Sequence, residues 1–171
     1  MDRRTKVFQI VGFKNSGKTT LLTEVINHWK HHHHQVGIIK HHGHGGTPTA
    51  KIEKTDTDKL LNAGAMITAV EGEGELLLQN ENRKWSIEDI ICVYKLFSLD
   101  LILVEGYKNA SYPKAMIIKN EKDIRLLDNL QNVQAILTWI PLQKKQPYPI
   151  FSMQNKHQFI EWLYQKLMLV N

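Results

Sequence analysis

Residues 12–19 read GFKNSGKT and match the phosphate-binding loop pattern G-x-x-x-x-G-K-[S/T]. The apolar segment 7–11, rich in β-branched and aromatic residues, precedes the loop and predicts a buried parallel strand. Residues 18–31 follow it with the apolar spacing of an amphipathic helix. Because strand, loop and helix occur in the order that the motif needs, chance is a poor explanation of the match. The sequence therefore predicts a site for the phosphates of a nucleotide.

Residues of this loop have separate roles in binding a phosphate chain. Gly12 and Gly17 permit backbone conformations and close approaches that a Cβ atom would obstruct. Backbone N–H groups and the positive end of the helix dipole then face the phosphates. Lys18 adds a charge for the outer phosphates, and the Thr19 hydroxyl is placed to bind Mg²⁺. The loop residues assigned to nucleotide binding are Gly12, Lys14, Asn15, Ser16, Gly17, Lys18, Thr19 and Thr20.

Length and charge are consistent with one phosphate-binding domain. The chain has 171 residues and a formal net charge of +5, which suits one hydrophobic core and a positive field that attracts anions. We therefore expect a single P-loop domain over residues 1–171. No block of Lys and Arg interleaved with aromatic residues is present, which disfavours nucleic acid as a partner.

Apolar segments and cysteine content indicate the cellular compartment of the protein. The N-terminus lacks the apolar segment of a signal peptide, and no apolar run reaches the ~18 residues that a membrane span needs. Cys92 is the only cysteine, so no disulfide forms within the chain, and its apolar neighbours predict a buried side chain. A reduced, cytoplasmic setting fits these features best.

Strand-like runs alternate with helical patterns along the chain, which is typical of βαβ units. The sequence predicts a three-layer α/β P-loop NTPase fold with a mostly parallel central sheet and a hairpin extension. Segments 75–79 and 83–85 are predicted to pair as that hairpin, which either extends the sheet edge or pairs across a dimer. The predicted helices cover 18–31, 58–63, 87–97 and 156–169, and the other predicted strands cover 36–39, 66–70, 101–104, 135–137 and 149–151.

Glu105 is the candidate metal ligand. It ends the very apolar strand 101–104, and the carboxyl end of a parallel strand lies on the edge of the sheet where the phosphate-binding loop lies. A phosphate-bound Mg²⁺ needs an acidic partner at this place, directly or through water. Aspartate is usual there, whereas this chain has Glu105. Asp100, at the other end of the strand and ~17 Å away, is interpreted as a solvated residue.

Asp56 and the histidines are open to two interpretations each. Asp56 either caps the helix that follows it or lies near Mg²⁺ and the attacking water. Histidines 31–34 end the first helix, where cationic side chains favour the helix dipole and solvent exposure is expected. His41, His42 and His44 follow the strand 36–39, and they either are solvated or bind a metal ion or an anionic ligand.

Five segments, in order along most of the chain, resemble the molybdopterin-guanine dinucleotide biosynthesis protein B (MobB) family. They are the loop 12–20, KHHGH at 40–44, Asp56, NAGA at 62–65, and DLILVEGYK at 100–108, which is the most specific. The resemblance implies a GTP-binding domain of the SIMIBI class of P-loop NTPases that hydrolyses GTP weakly and forms homodimers. It further implies an adapter for the guanylyltransferase that attaches GMP to molybdopterin.

The resemblance also implies roles for individual residues. Lys18 and Thr19 would bind phosphate and Mg²⁺, Glu105 would serve the metal, and Asp56 would position water, so that Lys18, Asp56 and Glu105 are the catalytic candidates. Gly106 and the histidines His41, His42 and His44 would contact the nucleotide or molybdopterin, which is a further candidate ligand.

Guanine specificity has no evident residue in the sequence. In related GTPases an aspartate after a late strand binds the guanine N1 and N2 groups, but here Trp139 occupies that region. Its indole either stacks on a purine, which does not distinguish guanine from adenine, or is a core or rim aromatic. The assignment of GTP therefore depends on the resemblance alone.

Two other functions remain open from the sequence. A nickel-type metallochaperone GTPase would share the fold and explain the nine histidines, although the chain lacks a Cys-x-x-Cys or Cys-Pro-His motif. A small-molecule kinase would use the same loop on a bound acceptor, although no arginine-rich lid is evident.

Overall fold

The computed structural model describes residues 5–43, 56–80, 84–143 and 145–169. Contacts divide the chain into two compact units, Met1–His41 with Ile87–Asn171, and His42–Ser86. The strands are β1 (Lys6–Gly12), β2 (Val36–Lys40), β3 (Ile67–Gly72), β4 (Glu75–Asn80), β5 (Leu101–Glu105), β6 (Lys114–Ile118), β7 (Val133–Thr138) and β8 (Ile150–Ser152). The α-helices are α1 (Lys18–His31), α2 (Asp56–Asn62), α3 (Ile87–Tyr94) and α4 (Lys156–Tyr164).

A six-stranded sheet forms the centre of the first unit, in the order β2-β5-β1-β6-β7-β8. Every strand pair in it is parallel, so all carboxyl ends meet at one edge. Strand β5 lies beside β1, with Glu105 opposite Ile10 in the register. This pairing brings the end of β5 next to the loop that follows β1, as the sequence predicted.

Helices cover both faces of the sheet, which confirms the three-layer α/β prediction. On one face, α1 and α4 bury Leu21, Trp29 and Phe159 against β1, β5, β6 and β7. On the other face, Ile87 and Ile91 of α3 pack against β2 and β5, and a 3₁₀ helix at Glu121–Asn129 packs against β6 and β7. The strands that position the phosphate-binding loop are therefore packed on both faces, by three hydrophobic clusters.

A two-stranded hairpin in the second unit differs from the predicted one. Strand β4 pairs antiparallel with β3, and the segment 84–85 is not a strand. The prediction that 75–79 pairs with 83–85 is therefore wrong, and residue 83 lies outside the described part. Glu73 and Gly74 have φ values of 49° and 84°, which is the conformation that a tight two-residue hairpin turn requires. That turn joins β4 to the strand before it.

Helix ends and one strand also differ from prediction. Helix α2 begins two residues before the predicted 58, and Gly64 (φ 106°) ends it in the left-handed region. Helix α3 ends at Tyr94, and α4 continues into a π-helical turn at Gln165–Leu169. Strand β6 was not predicted, because its first residue, Lys114, is a charged residue that is fully buried.

Two further observations concern the surface. Cys92 is exposed, so the prediction that it is buried is wrong, because it lies on the solvent side of α3 while Ile91 faces the core. Among the described helices, none combines the length and the apolar character that crossing a membrane requires.

Candidate functional site

Close packing fixes the backbone of the phosphate-binding loop. A Cβ atom on Gly12 would lie 2.9 Å from Ser16 Oγ and 3.0 Å from the Ile117 carbonyl oxygen, which leaves no space for a side chain. Gly17 has a φ of 97°, and its Cβ would lie 3.0 Å from Met153 Cε. The two glycines of the motif are therefore required by geometry as well as by the phosphates that the loop is predicted to bind.

The Lys18 side chain folds back onto the phosphate-binding loop. Its Nζ donates a hydrogen bond to the Phe13 carbonyl oxygen at 2.7 Å. Burial lowers the pKa of Lys18; Glu105 opposes this effect, and the positive charges of Lys108 and Lys40 add to it. A phosphate group that entered the loop would give this partly buried ammonium an anionic partner.

Thr19 and Glu105 lie in contact at the carboxyl edge of the sheet. Thr19 Oγ1 donates to Glu105 Oε2 at 3.0 Å, and the Glu105 residue is only 8% exposed. A hydroxyl and a carboxylate oxygen are hard ligands of the kind that Mg²⁺ prefers, and Mg²⁺ in such sites completes its shell with phosphates and water. The two predicted metal ligands therefore form a pair that fits this ion.

Lys40 and Lys108 are part of the site although the sequence analysis did not select them. Lys40 Nζ lies 3.5 Å from Glu105 Oε2, and Lys108 Nζ lies 4.3 Å from the centre of the Phe13 ring. Lys18 and Lys40 thus both interact with the Glu105 carboxylate, and the Lys108 charge acts on Lys18. Their positions immediately after predicted strand ends were the available signal, because parallel strands bring their carboxyl ends to one edge.

Gln9 positions the backbone that follows Glu105. Its Nε2 donates to the carbonyl oxygens of Gly106 and Tyr107, both at 3.0 Å, and the residue is fully buried. A Cβ on Gly106 (φ 96°) would lie 3.0 Å from His41 Cβ, and the His41 ring lies 4.3 Å from the Tyr107 ring. Gly106 and His41 therefore lie beside Glu105, as predicted for residues of one site.

Trp139 contacts the phosphate-binding loop directly. Its indole Nε1 donates to the Ser16 carbonyl oxygen at 2.9 Å. Neither interpretation of the sequence, a platform for a purine or a rim aromatic, included this contact. The signal was weak, because Trp139 and Ser16 are 123 positions apart in the chain.

The other predicted site residues belong to the second unit, lie outside the described residues, or are exposed in the loop and the first turn of α1. Asp56 begins α2 in the second unit, where its side chain is 93% exposed and pairs with Lys59 at 2.7 Å, so its role stays a prediction. His42 is exposed, and His44 lies outside the described residues. Lys14, Asn15 and Thr20 belong to the loop and the first turn of α1, all exposed. In the described ranges, no group of three or more His, Cys, Asp or Glu side chains is arranged to hold a metal ion.

Of the first histidine cluster, His31, His32 and His33 are exposed, as predicted, whereas His34 is partly buried. His34 Nδ1 lies 3.5 Å from Asp100 Oδ2, and His34 Nε2 lies 3.2 Å from the Tyr164 hydroxyl. The His32 ring stacks on Tyr164 at 4.4 Å. Asp100 also accepts from the backbone N–H of Gln35 at 2.8 Å, so it is a structural residue that fixes the start of β5 and not a solvated one.

Comparison with known proteins gives a consistent result. Residues 7–139 match the family model described as molybdopterin guanine dinucleotide synthesis protein B. A Bacillus subtilis protein named "probable molybdopterin-guanine dinucleotide biosynthesis adapter protein" is 40% identical over 131 residues, which cover 77% of this chain and 75% of the relative.

Solved structures show the same similarity. The crystal structure of a MobB protein homologue from Bacillus stearothermophilus has a TM-score of 0.75 and 34% sequence identity, covering 96% of this chain and 99% of that one. HypB from Helicobacter pylori, solved in complex with nickel, has a TM-score of 0.53 and 15% identity over 96% of this chain and 87% of that one. At that identity the likeness to HypB concerns the fold alone.

Proposed function

This chain belongs to the molybdopterin guanine dinucleotide synthesis protein B family, and on that basis we propose that it is a GTP-binding adapter protein of molybdenum cofactor biosynthesis. The adapter binds MgGTP, hydrolyses it weakly, and assists the guanylyltransferase that attaches GMP to molybdopterin, in the cytoplasm. Molybdopterin is a second candidate ligand.

The contact between Thr19 and Glu105 is the observation on which the proposal depends. It joins the phosphate-binding loop to the end of β5 at 3.0 Å, beside Lys18, whose Nζ now donates to a carbonyl of its own loop. A triphosphate can replace that carbonyl as the partner of Lys18, and its charge would be balanced by Lys40 and Lys108. Bound Mg²⁺ would supply charge neutralisation on the phosphate oxygens.

Hydrolysis by these residues is expected to be slow. Lys18 and the backbone N–H groups of the loop hold the phosphates and stabilise the charge that develops on them. Arg125 is the one arginine in the described ranges, and it belongs to the 3₁₀ helix beside β6 and β7, so we assign no arginine finger. We propose that Asp56 orients the attacking water.

A homodimer is part of the proposal because of the hairpin β3-β4. Ile67, Val70, Leu76 and Leu77 of this hairpin are 46–58% exposed. An isolated two-stranded hairpin is marginally stable in water, and apolar side chains on both strands gain stability when a second copy covers them. We therefore assign the hairpin to the dimer interface.

Calorimetric titration of metal-free protein with GTP and with ATP, each with Mg²⁺, tests this function. We expect preferential binding of MgGTP, loss of binding in Lys18→Ala with unchanged folding, and normal binding in the control Lys122→Ala, which removes an exposed lysine of the 3₁₀ helix. Normal binding of MgGTP by Lys18→Ala would contradict the site.

Titration with molybdopterin and with Ni²⁺ separates the alternatives. Preference for ATP with turnover that rises on addition of an acceptor would support a kinase. Tight, stoichiometric nickel binding that is lost when His41, His42 and His44 are changed would support a metallochaperone. Either result would replace the proposed adapter.

A further inference from the structure

Trp139 touches the phosphate-binding loop at the peptide between Ser16 and Gly17. The indole Nε1 donates to the Ser16 carbonyl oxygen at 2.9 Å. Ring carbon Cζ2 lies 3.5 Å from the position that a Cβ on Gly17 would occupy. The ring thus bonds to Ser16 and lies beside Gly17, and the proposed function gives this arrangement no role.

The turn after β7 holds the indole in place. The Trp139 backbone N–H donates to the Ile118 carbonyl oxygen at 3.0 Å, and the Met153 N–H donates to the Thr138 carbonyl oxygen at 2.9 Å. Thr138 Oγ1 donates to the Ile140 carbonyl oxygen at 2.6 Å and accepts from the Ile140 N–H at 3.1 Å. Because β6, β7 and the end of β8 all fix this turn, the indole is a rigid support for the loop.

The geometry of a peptide group transmits that support to Gly17. In a planar trans peptide the C=O and N–H bonds point in opposite directions. Since the indole holds the Ser16 carbonyl on its own side, the Gly17 N–H must point away from the indole. In the described ranges this N–H has no backbone acceptor, and free N–H groups of such loops bind phosphate oxygens.

We propose that Trp139 is a positioning residue of the nucleotide site: its indole N–H orients the Ser16–Gly17 peptide so that the Gly17 N–H is presented to the phosphates. This inference rests on the proposed nucleotide binding for its ligand, but the contact exists in the free protein. Because the indole N–H is bonded to the Ser16 carbonyl oxygen, this edge of the ring is not available to the base of the nucleotide.

Replacement of Trp139 by phenylalanine tests the role of the N–H group. Trp139→Phe keeps an aromatic ring and removes the donor. The matched control is Trp85→Phe, since Trp85 is 37% exposed compared with 44% for Trp139 and has no assigned role. For each variant, the Gly17 amide resonance is followed by ¹⁵N NMR in the nucleotide-free protein, and MgGTP affinity is measured by calorimetry.

We expect a shifted Gly17 amide resonance in Trp139→Phe, together with an affinity about five- to tenfold lower, as the loss of one hydrogen bond predicts. The control should change neither quantity. An unchanged Gly17 resonance would overturn the inference, and so would a shifted resonance with wild-type affinity. Binding of MgATP in place of MgGTP, weakened equally by Trp139→Phe, would overturn the proposed nucleotide and leave the inference standing.

A second pair of variants covers the case in which the phenylalanine variant does not fold. Trp139→Gln and Trp139→Met have side chains of similar length, and only glutamine has an N–H donor. The inference predicts tighter nucleotide binding by the glutamine variant. Equal affinities of the two variants would overturn it.

Discussion

The Thr19 hydroxyl donates a hydrogen bond to Glu105 Oε2 at 3.0 Å, across 86 positions of the chain. Thr19 lies in the first turn of α1, after the phosphate-binding loop, and Glu105 ends the strand that pairs with β1. The contact therefore depends on the adjacency of β1 and β5, and it brings a hydroxyl and a carboxylate oxygen together at the carboxyl edge of the sheet.

Removal of the Glu105 charge should separate metal binding from nucleotide binding. In Glu105→Gln we expect the dependence of GTP binding on Mg²⁺ to fall strongly. Affinity for metal-free GTP should hold or rise, because the carboxylate no longer neutralises Lys18 and Lys40. Titration of GTP with and without Mg²⁺ measures both effects. An unchanged metal requirement would contradict the assignment of Glu105, and Glu24→Gln on the surface of α1 is the control.

Lys108 should contribute to nucleotide affinity through its charge. Its ammonium lies over the Phe13 ring at 4.3 Å and lowers the pKa of Lys18. We expect Lys108→Gln to weaken MgGTP binding about three- to tenfold at low salt, and less at high salt because screening reduces the contribution. Calorimetry at two salt concentrations checks this. Lys95→Gln, which changes an exposed lysine just after α3, should have no effect, and an equal loss in both variants would refute a local role.

Nucleotide binding should weaken at high pH because of Lys18. Burial lowers the pKa of the free Lys18 ammonium, whereas a bound polyanion must raise it. Below the lowered pKa, Lys18 is charged in both states and affinity is independent of pH. Between the Lys18 pKa of the free protein and that of the nucleotide-bound protein, binding takes up one proton. In that range the affinity falls by up to about tenfold for each unit by which the pH rises. Arginine stays protonated throughout this pH range. If the Lys18→Arg variant binds MgGTP, its affinity should therefore not depend on pH in this way.

Leu76 should be important for the association of two chains. It is 58% exposed on β4, and a charge there would be buried in the proposed interface. We expect Leu76→Glu to shift the protein to a monomer in sedimentation while the affinity for MgGTP stays within about twofold, since apolar burial drives association. Glu75→Gln is the control on the same strand. A monomeric wild-type protein, or a dimer unaffected by Leu76→Glu, would refute the interface.

Lys114 should matter for stability and not for binding. It is fully buried, its Nζ donates to the carbonyl oxygens of Ala110 and Gln131 at 2.7 and 2.5 Å, and burial lowers its pKa. Lys114→Met would fill the space but leave both carbonyl groups unpaired, which should cost about 1–3 kcal/mol. Urea unfolding measures this free energy, and Lys122→Met is the exposed control. A loss below about 0.5 kcal/mol, the range of ordinary surface changes, would show that water replaces the ammonium.

The sequence determined the features that depend on short segments. The loop 12–19, the strand before it, the extent of α1 and the position of Glu105 at a strand end all follow from local patterns, and the structure agrees with them. The three-layer fold and the family followed from such segments taken together. The adapter function and the roles of the site residues stay proposals.

Tertiary structure decided what depends on contacts between distant segments. The position of β6 between β1 and β7, the partner of β4, and the contact of Trp139 with Ser16 have no local signal. Lys40 and Lys108 had only an indirect signal, their positions after predicted strands, and they reach the site because those strands end at the same edge. Local propensity acts over a few residues, whereas strand order and side-chain contacts are set by the packing of the whole core, and only the folded chain shows them.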